Sequence, residues 1–168
     1  MHQKIVIFGN SGSGKSTLAR RLAKQFHLAH LDLDDVAWKE ANPPLRYSVE
    51  ESAACINSFM EKHDQWVIEG CYGSLISHAT PYATEICFLN IGIEACLQNC
   101  KTRDWEPHKY KSKQAQDENL KLLLDWVSTY ETRNDEFSKK EHQKIFEHFQ
   151  GKKQEIKSRS ETNIHLGI

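Results

Sequence analysis

The chain has 168 residues, 22 basic against 23 acidic, a net charge of −1 and 39% hydrophobic residues. That length suits one domain with a substantial core, while the near-neutral balance offers no basic field for non-specific nucleic-acid binding, and no apolar run approaches the roughly 20 residues that span a bilayer. Cys55, Cys71, Cys87, Cys96 and Cys100 form no C-x-x-C pair and read as free thiols, and the opening residues read as a strand rather than a signal peptide, so a cytoplasmic protein is expected.

Lys4 to Phe8 is an apolar, β-rich run that predicts a buried strand. Gly9-Asn10-Ser11-Gly12-Ser13-Gly14-Lys15-Ser16 follows and spells G-x-x-x-x-G-K-[ST]. Its glycines let the backbone take positive φ and approach a ligand closely. The N–H groups then cradle a phosphate at the start of a helix. Lys15 would reach β- and γ-phosphates, Ser16 would put its hydroxyl on Mg²⁺, and Thr17 closes the nucleotide-binding stretch. Leu18, Ala19, Leu22, Ala23 and Phe26 predict the apolar face of that helix.

Leu28 to Asp32 predicts a second strand, running into Asp34 and Asp35. Carboxylates at a strand's C-terminal end sit where open α/β sheets bind ligands. Asp32 or Asp34 could hold a metal-bound water or accept a proton from a substrate hydroxyl; a plain polar turn is the other reading. The prolines of 38–47 exclude a regular helix there, which predicts a loop or small lobe in which Arg46 either holds an anionic acceptor or is a surface residue. Ser48 and Glu51 form a capping box for a helix ending near His63. A third strand, Gln65 to Glu69, puts Glu69 where a carboxylate partner of Mg²⁺ water belongs. The turn from Gly70 to Ser74 could bring Tyr72 close to a substrate.

Glu85 to Asn90 predicts a fourth strand, and Ile93, Cys96, Leu97 and Cys100 a helix face. From Lys101 to Lys113 the chain turns basic and loses its periodicity. It reads as a solvated loop or as a lid supplying a cation to a transition state, Arg103 first and Lys109 second. Leu120 to Tyr130 predicts a helix, with Arg133 near its end either reaching nucleotide or favouring the helix dipole. Ser138 and Glu141 suggest a second capping box, and 153–157 a weak edge strand.

With these motifs the sequence resembles the P-loop small-molecule kinases: adenylate, shikimate and gluconate kinases. It looks most like the adenylate-kinase-like group that includes the topology-modulation proteins. The 33–38 and 66–72 segments are similar to that group's L-D-x-x-x-W and W-I-I-D-G-N-Y segments, with Glu69 for Asp and Cys71 for Asn. The resemblance implies a three-layer α/β P-loop NTPase fold, with five parallel strands ordered 2-3-1-4-5 and helices on both faces. It implies one domain over 1–158, with an acceptor lobe near 35–64, a lid near 101–118 and a tail at 159–168. The expected activity is transfer of the γ-phosphoryl of ATP, with Mg²⁺, to a small molecule, by a monomer or homodimer. Lys15, Asp34 and Arg103 are the expected catalytic residues. Residues 9–17 and Arg133 would hold the nucleotide, Ser16, Asp32 and Glu69 the metal, and Asp34, Arg46 and Tyr72 the acceptor. The alternative is an ATP-binding regulatory protein with weak ATPase activity and no acceptor.

Overall fold

The computed structural model describes residues 3–39, 44–107, 109–158 and 161. In chain order they form β1 (Lys4–Gly9), α1 (Lys15–Phe26), β2 (Ala29–Asp32), α2 (Asp34–Ala37), β3 (Trp38–Lys39), β4 (Leu45–Arg46), α3 (Val49–Lys62) and β5 (Trp66–Gly70). Next come α4 (Gly73–Ala79), a 3₁₀ turn (Thr80–Tyr82), β6 (Glu85–Leu89), α5 (Ile93–Lys101), α6 (Lys113–Ser128), α7 (Lys139–His148) and β7 (Lys152–Ile156).

The large sheet is parallel and ordered β2-β5-β1-β6-β7, which is the expected 2-3-1-4-5 order once the β3–β4 ribbon is set aside. Strand alternation divides the core in two. Ile5 and Ile7 of β1 face α1, α5 and α6. Val6 and Phe8 face α3, α4 and α7. The sheet is therefore covered by helices on both sides, as buried parallel strands require. Among the described residues no helix is long and apolar enough to cross a membrane.

Three local expectations change. The Gly70–Ser74 stretch is not all turn, because Gly73 and Ser74 open α4, whose Leu75, Ile76 and Ala79 are buried. Glycine is needed at Gly73, where a Cβ would lie 2.6 Å from the Glu136 carbonyl oxygen. Helix α6 starts at Lys113, inside the expected lid, because Ser112 caps it by accepting from Ala115 N (3.1 Å). Of the expected lid, 102–107 and 109–112 are thus without helix. Ser48 and Glu51 do form the reciprocal capping box. At Ser138 the hydroxyl accepts from Glu141 N (3.1 Å), while the Glu141 carboxylate lies 3.7 Å from Lys144. Residues 40–43 of the lobe, His108 of the lid, and 159, 160 and 162–168 of the tail lie outside the described residues.

Candidate active site

The phosphate loop joins β1 to α1 and is held from outside itself. Gly12 has φ +77°, and a Cβ there would sit 2.4 Å from the Cys96 carbonyl oxygen. Only glycine fits against α5. Asn99 Nδ2 donates to the Gly12 carbonyl (2.6 Å), and Asn10 Nδ2 donates to the Val127 carbonyl (3.2 Å). Asn10 therefore ties the loop to α6 through its side chain. Gly14, at φ +95°, is the N-cap of α1. Lys15 is 9% exposed, with Nζ donating to the Asn10 carbonyl (2.8 Å).

Parallel pairing brings the carboxylates to the same end of the sheet. β1 runs beside β5, and Asp32 is in register with Glu69. Glu69 is 1% exposed, and its Oε1 is buried without a hydrogen-bond partner. His30 Nε2 stands 3.6 Å from that oxygen, an ion-pair distance rather than a hydrogen bond. Burial works against the Glu69 charge, but His30, Lys15 and Ser16 hold its carboxyl below the usual value. Burial pushes Asp32 up to about 6, reinforced by Glu69 and Asp34 and opposed by Lys109. Asp34 goes the other way. Burial would raise it, yet the Lys109 ammonium and the Tyr72 hydroxyl hold it below the usual range.

The segment between α5 and α6 reaches these carboxylates through Lys109. Lys109 Nζ lies 2.7 Å from Asp34 Oδ2 and 3.4 Å from Asp32 Oδ2. Trp38 Nε1 donates to the Tyr72 hydroxyl (2.7 Å), which donates to Asp34 Oδ1 (2.6 Å). Asp34 N donates to Asp32 Oδ1 (2.9 Å). Buried Gln116 holds the α5–α6 segment in place. Its Oε1 accepts from Glu106 N (2.8 Å) and its Nε2 donates to the Asp104 carbonyl (3.0 Å). Arg103 pairs with Glu106 at 2.9 Å.

A cavity of about 520 Å³ joins these parts, its wall including Ser11, Gly12 and Gly14 to Thr17, the three carboxylates, and Arg103 and Lys109. Cys71 also lines it, with burial pushing its thiol up to about 12. A second hollow of about 540 Å³ lies across the loop, against Thr17, Arg21 and Asn99. Ser13 lines this second hollow, while Asn10 lines neither.

Arg46 and Arg133 lie outside both walls. Arg46 pairs with Glu136 (2.9 Å), and its guanidinium lies 4.9 to 5.7 Å from the ring centres of Tyr72, Phe137 and Trp38. Arg133 pairs with Asp135 (2.7 Å) and stacks on Trp126 (3.4 Å). Tyr72 reaches the site through Asp34 rather than from the cavity wall.

Sequence reasoning missed the Trp38–Tyr72–Asp34 chain, because its links span 34 and 38 residues. It also missed His142, fully buried, whose Nε2 donates to the Cys71 carbonyl (2.9 Å) while Nδ1 accepts from the Tyr130 hydroxyl (2.7 Å). A carbonyl only accepts, which fixes the tautomer. This imidazole pins the turn after β5 to α7.

No protein-family profile matches the chain, and no curated protein matches it by sequence. Solved structures do match by shape. A gluconokinase from Sinorhizobium meliloti 1021 superposes with a TM-score of 0.52 at 15% identity, over 92% of this chain and 82% of that one. An unliganded sugar kinase from Janibacter sp. HTCC2649 gives 0.53 at 14% identity, over 94% and 86%. The fold is that of the P-loop kinases. The likeness is one of architecture at these identities, and it spans nearly the whole described chain.

Proposed function

We propose that this protein is an ATP-dependent phosphotransferase that moves the γ-phosphoryl group to a small-molecule acceptor with Mg²⁺. One observation carries the reading: a single cavity of about 520 Å³ collects the phosphate loop, the strand-end carboxylates of Asp32 and Glu69, Asp34 at the start of α2, and two lid cations. Loop N–H groups and Lys15 would hold the β- and γ-phosphates, with the nucleoside extending toward the hollow beside Thr17 and Arg21. Arg103 would close on the transferring group. Phosphoryl transfer needs positioning and charge stabilisation more than covalent help from the protein. The acceptor oxygen bonds to the γ-phosphorus as the bond to the β–γ bridging oxygen breaks. ADP leaves with that electron pair, and the hydroxyl proton passes to Asp34.

The site suits Mg²⁺. Ser16 lines the cavity, and Glu69 offers a buried oxygen without a partner beside Asp32. Ser16 would ligate the ion, and Asp32 and Glu69 would hold its waters. When bound it neutralises charge on the β- and γ-phosphoryl oxygens. Among the described residues no three His, Cys, Asp or Glu side chains form a metal cluster of their own, so phosphate oxygens would complete the coordination.

The test is ADP release from Mg-ATP across a panel of alcohols, with Lys15→Met as control. Stimulation by an acceptor in the wild type only is the expected result. Tight ATP binding with no stimulation by any acceptor would favour the regulatory alternative.

A further inference from the structure

The acceptor end of the cavity holds an ammonium group already. Lys109 comes from the lid, 75 residues beyond Asp34, and its Nζ is seated between Asp34 Oδ2 at 2.7 Å and Asp32 Oδ2 at 3.4 Å. Tyr72 fixes the other Asp34 oxygen, with Trp38 behind it, so the carboxylate is pre-oriented toward this seat. Glu69 adds a buried oxygen with no hydrogen-bond partner. Burial alone would lower the Lys109 ammonium, yet the two aspartates hold it above its ordinary value.

The same end lacks what an anionic acceptor needs. Carboxylate and phosphate groups are held by fixed cations, above all by arginine forks. Arg46 and Arg133 flank this side, but both lie outside the cavity wall and both are engaged, on Glu136 and Asp135. Glu136 is itself fixed by Ser74, whose N donates at 3.1 Å and whose hydroxyl also donates. Of the other cations in the wall, Lys15 and Arg20 belong to the loop and α1, and Arg103 is paired with Glu106. Lys109 is itself engaged on Asp34 and Asp32, so an anionic acceptor would face Asp32, Asp34 and Glu69 with no disengaged lid cation to hold it.

We infer that the acceptor is an ammonium-bearing alcohol, an amino alcohol or amino sugar, whose ammonium replaces that of Lys109 on Asp34, leaving Asp32 to the waters of Mg²⁺. The inference rests on the phosphotransferase reading above. Nucleotide binding draws Lys109 toward the phosphates and vacates the seat. The acceptor's ammonium restores the charge balance there and leaves its hydroxyl facing the γ-phosphorus. The transfer itself is unchanged, with the hydroxyl proton going to Asp34.

Two charge series test this at pH 7, the second of them of matched skeleton: glucosamine, glucose and gluconate, and 2-aminoethanol, ethylene glycol and glycolate. The readout is acceptor-dependent ADP release with kcat and KM separated. The amino member of at least one series should exceed its carboxylate by about 10-fold or more in kcat/KM, with the neutral member between. Asp34→Asn also removes the proton acceptor, so it is read by binding: it should shrink the preference for the amino member over its carboxylate, measured as acceptor affinity, to roughly 3-fold or less while leaving fluorescent-ATP affinity within about 2-fold, which also shows that the variant is folded. Lys109→Met should raise the affinity of the nucleotide-free protein for the amino acceptor, because its internal competitor is gone. Phosphorylation of gluconate or glycolate in preference overturns the inference and leaves the kinase reading standing. Phosphorylation of none of the six, with ATP still bound, overturns both.

Discussion

The phosphate loop and the cluster around Asp34 meet in one cavity but are assembled differently. Residues 9–17 are one contiguous stretch, fixed by glycine conformations and by single bonds from α5 and α6. Asp34, by contrast, draws its partners from 2, 38 and 75 positions away. A local motif can be copied whole between proteins. A side chain held by distant partners changes whenever any one of them changes. Phosphate handling is thus the portable part of such a fold, and acceptor choice is its adjustable part.

The local half should fail most severely when attacked. Lys15→Met should lower kcat by about 100-fold or more with circular dichroism unchanged, because the side chain makes one hydrogen bond within its own loop and shares the offset of the buried Glu69 charge with His30 and Ser16. A large loss of structure would show that the loop and the core are not separable.

Asp32→Asn probes the border between the halves. Burial raises this carboxyl to about 6 from 3.8, so the native state binds its proton more tightly than the unfolded chain. Its contribution therefore favours folding at low pH and is lost as pH rises from about 4 to about 6. At pH 7.5 the substitution should raise the melting temperature by several degrees, because each pH unit by which a carboxyl is displaced is worth about 1.4 kcal/mol, while stopping Mg²⁺-dependent turnover. An unchanged melting temperature would mean that Asp32 carries no strain in the free protein.

His142 tests the distant half through stability. Burial holds it neutral, down to about 4 from 6.5. The unfolded chain takes up that proton first, so stability is full above about 6.5 and falls as pH drops toward 4, by up to roughly 3 kcal/mol. Asp32 slopes the opposite way between about 4 and 6, so the two are best resolved in an Asp32→Asn background. Melting at pH 7.5 and pH 5 should differ clearly there, and His142→Gln should flatten the difference.

Arg133→Ala should give the smallest effect on nucleotide affinity, about 2-fold or less, since the guanidinium is stacked on Trp126 and paired with Asp135 outside the cavity. A tenfold loss would restore the nucleotide-binding role expected from sequence.

What the sequence disclosed follows the same division. The apolar run Ile5 to Phe8, the loop motif and the Ser48 capping box are local patterns, and each has its counterpart in the structure. The beginning of α6 was hidden because its first turns, Lys113 to Asn119, are polar and carry no apolar stripe. Helix α4 was hidden because Gly73 reads as a turn, although its real cause is the Glu136 backbone lying against it. At the site, the carboxylates of Asp32 and Glu69 were legible as strand ends. The engagement of Arg46 by Glu136, 90 residues away, was not, and neither was the Lys109 seat, because spacing along the chain carries no record of such pairs.

The proposed reaction passes a phosphoryl group to an organic hydroxyl in this cavity. A single-turnover experiment with ATP labelled at the γ-phosphorus, in the presence of Mg²⁺ and the acceptor series, shows where the label goes. Label in an organic phosphate ester formed by the wild type and absent with Lys15→Met is the predicted result. Label found only as inorganic phosphate, at a rate no acceptor changes, would contradict it.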